Sequence, residues 1–575
     1  MPLLNIKLGV DTDYEGRCVL RALFLGVALV LLPPSVSPAT ETAAPASLSH
    51  AERLYRVLVA EFAARRGQLA SALDYYREVV GSSDDPRLAE RAANLALYAN
   101  DDDALLELAR RWQELRPEHL PAQQVLALAL LRNGRIADAV EPLDQVRAAL
   151  AERDGQDGFA GVANLLRRLD DKIVVLEAMR ALSQRHPESS YGHYHRALTA
   201  LAVDRPEAAL QNLDRALGLE PDWREALLLQ AQLRIQQGQT ERGLDQVLVA
   251  VEARPEDTEL RLGYARLLIS ASRLDEAREQ FTRLAEQNPD DAEALFALGV
   301  LATEAEQYTE AESYFEQVLA LGQREADSLF ELGRISELRG DFATARDWYE
   351  QVQEGERTFN ARIRAATMSA RLGEFDDLHM RFERLRSAHP DEAISLYITE
   401  AEILRSEQRE QQSFELLNDA LASHSGNHDL LYSRALAAER IDRLDVVEED
   451  LRRILAEDPD NGHALNALGY TLADRTERYQ EALDLIERAL ELLPEDPAVL
   501  DSMGWVQYKL GNLEPALEYL RRAHEQTEEP EIVMHLSEVL WAAGQREEAR
   551  EIWQQAYDQA PENPFLLRLK DRFMP

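Results

Sequence analysis

Cysteine occurs once in the 575 residues, at Cys18. A single thiol excludes disulfides within the chain and any zinc site built on cysteine pairs. A Gly-rich loop followed by Lys and Ser or Thr is missing, as is a Gly-x-Ser-x-Gly elbow, so the usual phosphate-cradling and hydrolase signatures are not found. Histidine gives no metal motif either. His193 and His195 stand two apart, which places them about 200° apart on a helix, where they cannot share a metal. His424 and His428 have helical spacing, but Ser425-Gly426-Asn427 between them reads as a turn. Basic residues are outnumbered: 63 Lys and Arg against 104 Asp and Glu leave a formal charge of −41. Such a balance argues against binding to nucleic acid, which needs a concentrated basic surface. The acidic excess either keeps a long, exposed chain soluble or attracts a basic partner. No catalytic residue, metal or cofactor is expected.

What the chain does contain is repetition. Pro187, Pro221, Pro255 and Pro289 are spaced 34 residues apart. Small residues recur at the same interval at two other phases, Ala197, Ala231, Ala265, Gly299, Gly333 and Ala209, Gly243, Ala277, Ala311, Ala345. Two antiparallel helices approach closely only where no bulky side chain holds them apart, so the two sets mark facing positions of a helical hairpin. The register continues downstream through Ala366, Ala401, Ala435, Gly469, Gly504 and Ser537, and upstream through Ala163, Ala127, Ala93 and Ala60. Further prolines fall where one hairpin should give way to the next, at Pro117, Pro390, Pro459, Pro494 and Pro561. Turns within hairpins carry Gly134, Gly238 and Gly511. No strand-length alternation competes with the helical pattern.

A period of 34 residues is similar to the tetratricopeptide repeat (TPR), and the expected fold is an all-α TPR solenoid of about fifteen antiparallel hairpins forming a right-handed superhelix. The array divides into hairpins at 51–186, a regular 34-residue array at 187–390, a C-terminal array at 391–560 and a capping helix at 561–575. Spacing loosens only at Glu152 to Gly161, where Asp154-Gly155-Gln156-Asp157-Gly158 reads as a loop between hairpins.

The segment 1–39 has the pattern of an export signal: Arg17, an apolar run from Ala22 to Leu32, two prolines, then Ser37-Pro38-Ala39. The run is shorter than the roughly 20 residues a membrane-spanning helix needs, and cleavage after Ala39 is expected. Asp11, Asp13 and Glu15 are unusual in such a leader. They leave a downstream start or an uncleaved anchor as alternatives. Residues 40–50 read as a flexible tether. The expected location is outside the cytosol, in the periplasm of a Gram-negative bacterium, with outer-membrane association as a further alternative. Cys18 precedes the apolar run, so it does not occupy the position of a lipidated cysteine.

Residues on the inner face of such a superhelix come from the first helix of each hairpin. In the last hairpins these include Tyr432, Asn466, Tyr470, Asp501, Trp505, Tyr508 and Trp541. Rings with amide and carboxylate groups among them suit an extended or helical peptide, although the same rings could fill the space between repeats. Arg266, Arg334 and Arg405 hold similar positions, where guanidinium forks either take a partner's carboxylates or pair with acids of neighbouring repeats.

Asn466-Ala-Leu-Gly-Tyr470, Glu481 to Pro494, Asp501-Ser-Met-Gly-Trp-Val-Gln-Tyr508 through Ala523, and Leu54-Tyr-Arg-Val-Leu-Val-Ala-Glu61 carry a further resemblance. There the chain resembles proteobacterial TPR proteins that include the outer-membrane lipoprotein adaptor of a periplasmic carboxy-terminal processing protease, the LbcA-like family. The resemblance implies a non-catalytic adaptor that binds the protease and brings it peptidoglycan hydrolases as substrates. The lipobox of those lipoproteins has no counterpart here. A structural component of an envelope secretion or polysaccharide export machine is the alternative.

Overall fold

The computed structural model describes residues 48–154 and 157–574. The export signal and most of the tether therefore lie outside the described residues. Within them are 31 α-helices and one 3-10 turn, Pro390–Glu392, and no strand. Taken two at a time, the first 30 helices give fifteen hairpins, and the last helix, Pro564–Phe573, follows them. Most helices are 13 or 14 residues long, such as Leu274–Gln287 and Gly462–Arg475. No helix among the described residues is long and apolar enough to cross a membrane.

The small residues do what their spacing suggests. A Cβ added at Gly469 would come within 2.5 Å of Ile486 Cγ1 and 3.1 Å of the Ala482 carbonyl oxygen on the second helix of the same hairpin. At Gly504 the corresponding approach is 2.5 Å to Leu520 Cγ. Their partners Ala482 and Ala516 are fully buried. Each hairpin then lays large side chains against the next; Phe315, Tyr349 and Phe382 are examples of buried second-helix rings. Asp and Asn side chains start many first helices by accepting from the backbone of the first turn, as Asp291 does from Glu293 and Ala294 and Asp496 from Ala498 and Val499.

Contacts divide the chain into two compact units, one ending at Leu219 and one running from Glu220 to the C-terminus. In the first, a core of small and branched residues runs from Ala60 to Leu182 and includes Trp112 and Phe159. The loop expected at Glu152 to Gly161 is shorter than the sequence suggests. The helix Ile136–Asp154 runs into it from one side, and the next helix, Phe159–Leu166, begins within it. The cause is anchoring: Arg147 donates to the Asp157 carbonyl at 2.9 Å, the Ser189 hydroxyl donates to the Asp157 carboxylate, and Gly158, at φ 83°, lies directly under the Arg147 carbonyl. Phe159–Leu166 has only eight residues and packs on Ile136–Asp154 and Ser190–Leu201.

In the second unit buried ion pairs fix individual hairpins. Arg434 holds Asp450 in a fork of 2.7 and 2.8 Å, and Arg386 meets the buried Glu400 at 2.5 Å with Tyr397 against its guanidinium.

Most turns within hairpins use one residue of left-handed conformation, glycine at Gly238 but Gln408 and Glu306 in equivalent turns. A left-handed residue with a Cβ costs about 1–2 kcal/mol, against a smaller entropic cost for glycine. Replacing the exposed Gln408 by Gly should therefore raise stability by up to about 1 kcal/mol. Gly469→Val should lower it by about 1–3 kcal/mol through overpacking against Ile486. Urea titrations followed by circular dichroism would check both. A destabilised Gln408→Gly protein or a neutral Gly469→Val protein would contradict these contacts.

Candidate functional site

Four of the inner-face residues meet around one cavity of about 410 Å³ in the second unit. Tyr432 comes from the helix His428–Arg440, Asn466 and Tyr470 from Gly462–Arg475, and Asp501 from Pro497–Lys509. Stacking brings them together because each occupies the same inward phase of consecutive first helices. Glu529 and Glu531 close the cavity at the start of the helix Pro530–Ala542. Phe565 and Arg568 of the final helix close it from the other side, where Arg440 and Arg568 both lie against the Phe565 ring. The contribution of the final helix is not visible in the sequence, because it sits outside the repeat phase.

The wall behind Asp501 is a polar cluster inside the core. His535, 1% exposed, approaches the Asp501 carboxylate at 2.8 Å through Nδ1 and stacks on Trp505 with ring centroids 4.0 Å apart. The Trp505 indole N–H donates to Asp474 at 3.1 Å, and Tyr470 donates to Glu531 at 2.6 Å. Burial, then the nearby Glu531 carboxylate, push the Tyr470 phenol far above its ordinary value and keep it a donor. Burial also raises the Glu439 carboxyl on the cavity wall, against the pull of Arg440.

The remaining inner-face residues are placed differently. Trp505 is 5% exposed, packed among Leu520, Val533 and Met534, so its ring supports the wall and does not line the cavity. His535, one repeat later, supplies the partner that draws it inward. Tyr508 is half-buried beside Trp505, and Trp541 packs on Phe573 with Arg546 and Arg550 against it. Arg266 pairs with Glu293, and Arg334 with Glu331 at 2.7 Å and Glu304 at 3.3 Å. These two guanidiniums are thus spent on acids of their own or a neighbouring hairpin. Arg405, half-buried, forms no ion pair with a described residue.

A second surface lies in the first unit. The helix His50–Arg65 buries Ala60 and Ala63 but exposes Leu54, Tyr55, Leu58 and Phe62, with Phe62 63% accessible. Leu54, Leu58 and Phe62 recur every four residues and form one stripe. An outer helix of a stack ordinarily carries a polar face, and singly exposed apolar residues need no explanation, but a contiguous stripe does. The sequence signal for it was present, since apolar residues occupy more of this helix than one buried face requires.

Burial opposes the imidazolium of His535; the Asp501 carboxylate beside it, with Glu531 and Asp474 farther off, outweighs burial and holds His535 above the ordinary histidine value. A raised folded-state value means the pair's stabilisation is complete below the unfolded histidine pKa of about 6.5 and is lost as pH rises through the folded-state value. Asp501→Asn should therefore destabilise the chain more at pH 6 than at pH 9, by about 3 kcal/mol at the lower pH. Thermal unfolding at the two pH values would measure this; equal losses would show that His535 does not change its protonation state between them.

Comparison with known proteins follows the same geometry. Residues 194–258, 262–322, 301–359, 432–497 and 502–564 match the tetratricopeptide repeat family. The TPR repeat-containing protein PA4667 of Pseudomonas aeruginosa is 38% identical over 504 residues, spanning 87% of this chain and 85% of its own. Of solved structures, yeast Tom70 aligns over 90% of this chain and 99% of its own at 16% identity and a TM-score of 0.33. The Cut9 and Hcn1 hetero-tetramer aligns over 91% of this chain and 96% of its own at 14% identity and a TM-score of 0.33. With its matched repeats covering half the sequence and a relative similar across most of both chains, this protein belongs to the tetratricopeptide repeat family.

Proposed function

We propose that this chain is a non-catalytic adaptor of the bacterial cell envelope, which holds a processing protease and presents cell-wall hydrolases to it. Membership of a repeat family suited to protein binding supports the general role as a scaffold. The observation that carries the finer reading is the exposed stripe Leu54, Leu58 and Phe62, present in addition to the cavity of the second unit. An adaptor must engage two proteins at once, and these two surfaces differ in chemistry, one apolar and one polar with aromatic walls. They suit partners of different kinds. The resemblance at Leu54 to Glu61 overlaps the stripe, and the run Asp501 to Tyr508 contributes Asp501 to the cavity. Export of the chain to the periplasm, with or without attachment to the outer membrane, belongs to this proposal.

Affinity purification of the full chain from an envelope extract, with mass spectrometry of what accompanies it, tests the reading. The expected outcome is a serine peptidase together with peptidoglycan hydrolases. Leu58→Glu with Phe62→Glu should reduce recovery of one partner class by about tenfold or more, as expected when anchors of an apolar interface are lost. Both positions are exposed, so folding should be unaffected within about 0.5 kcal/mol. Recovery of export machinery without a peptidase would overturn the adaptor role and leave the scaffold.

A further inference from the structure

The lining of the cavity is richer in carboxylates than in cations. Six carboxylates and three guanidiniums line it. Of the three, Arg475 is taken by Asp442, while Arg440 and Arg568 lie against Phe565 and form no ion pair with a described residue. Of the six, Asp501 is held by His535, Asp474 by Trp505 and Lys509, and Glu531 by Tyr470. Glu439 and Glu529 make no ion pair or side-chain hydrogen bond with a described residue.

A second observation comes from a neutral group. The Asn466 side-chain oxygen is screened from solvent and has no hydrogen-bond partner among the described residues. A buried acceptor left unmatched costs about 1–3 kcal/mol, a cost that a ligand donor placed there removes. Asn466 lines the cavity together with Tyr432 and Tyr470. The unmatched acceptor and the excess of carboxylates over guanidiniums favour the same kind of group, a donor that carries positive charge.

We infer that the cavity bounded by Tyr432, Glu439, Asn466, Tyr470 and Glu529 receives a lysine or arginine side chain projecting from a bound protein segment. The inference rests on the reading of the chain as a protein-binding scaffold and adds the chemistry that the second unit selects. Carboxylate-bearing segments are disfavoured, because carboxylates outnumber guanidiniums in the lining and Asn466 offers them an acceptor where a donor is needed. A net charge of −41 on the chain draws cationic segments toward it, and the cavity supplies the specific contacts.

The test uses the full chain and two short fluorescein-labelled peptides, one alternating lysine with alanine and one alternating glutamate with alanine, followed by fluorescence anisotropy. The lysine peptide should bind and the glutamate peptide should not. Glu439→Gln should weaken the lysine peptide by about tenfold or more. Glu286→Gln, an exposed change of equal charge in another hairpin, should alter it by less than about twofold and so separates the cavity from general attraction. Asn466→Leu should weaken the peptide by about fivefold while leaving the melting temperature equal or higher, since an unmatched buried acceptor is removed. Equal effects of Glu439→Gln and Glu286→Gln, comparable binding of the glutamate peptide, or no binding of the lysine peptide would each overturn the inference. None of these results bears on peptidase recovery through the stripe on His50–Arg65, so the adaptor reading stands or falls separately.

Discussion

Everything in this molecule depends on how closely two helices of one hairpin can approach. At Gly469 and Gly504 the second helix comes so near that even a methyl group would meet Ile486 or Leu520 at 2.5 Å. Close approach lets large second-helix side chains pack against the first helix, and the same approach repeated along the chain orients each hairpin on its neighbour. The inward phase of the first helices is a consequence. Tyr432, Asn466, Tyr470 and Asp501 share a cavity because small residues three positions after Tyr432, Asn466 and Asp501 hold their helices in the same orientation.

Polar contacts between hairpins follow the same interval. Arg334 reaches Glu304, Arg364 reaches Glu337 and Arg475 reaches Asp442, across separations of 30, 27 and 33 residues. Exposed pairs of this kind contribute about 0–1 kcal/mol each, so they align hairpins more than they stabilise them. With 104 acids and 63 bases, arginine is the scarcer partner and is largely used in this way. Acids are left over. Where the surplus faces the cavity, as at Glu439 and Glu529, it becomes available to a ligand.

The hairpin number was legible because proline spacing and small-residue spacing report the same local geometry. Fifteen hairpins and a final helix can be counted from the sequence, since every mark lies within one repeat. The cavity was only half legible. Inward phase identifies Tyr432, Asn466, Tyr470 and Asp501, but the same rule selects Trp505, which His535 from the next hairpin draws into the core. Phase cannot register a contact made between repeats. It likewise could not place Phe565 and Arg568, which belong to no repeat, or recognise that Arg147, Asp157 and Ser189 shorten the loop after Asp154.

A stack in which every hairpin touches only its neighbours would present much the same inner surface along its length, and specificity would have to come from side chains alone. The C-terminal hairpins depart from that arrangement. Tyr470 reaches Glu531 across 61 residues, and Arg440 meets Phe565 with three hairpins between their helices. Such contacts tie non-adjacent hairpins together, so the cavity's shape is set by several interfaces at once and resists the bending that a simple stack permits. A site whose walls are fixed before a partner arrives loses less conformational entropy on binding than a flexible groove does. Pre-organisation of this kind suits recognition of one cationic side chain within a longer segment, where few contacts must supply the selectivity.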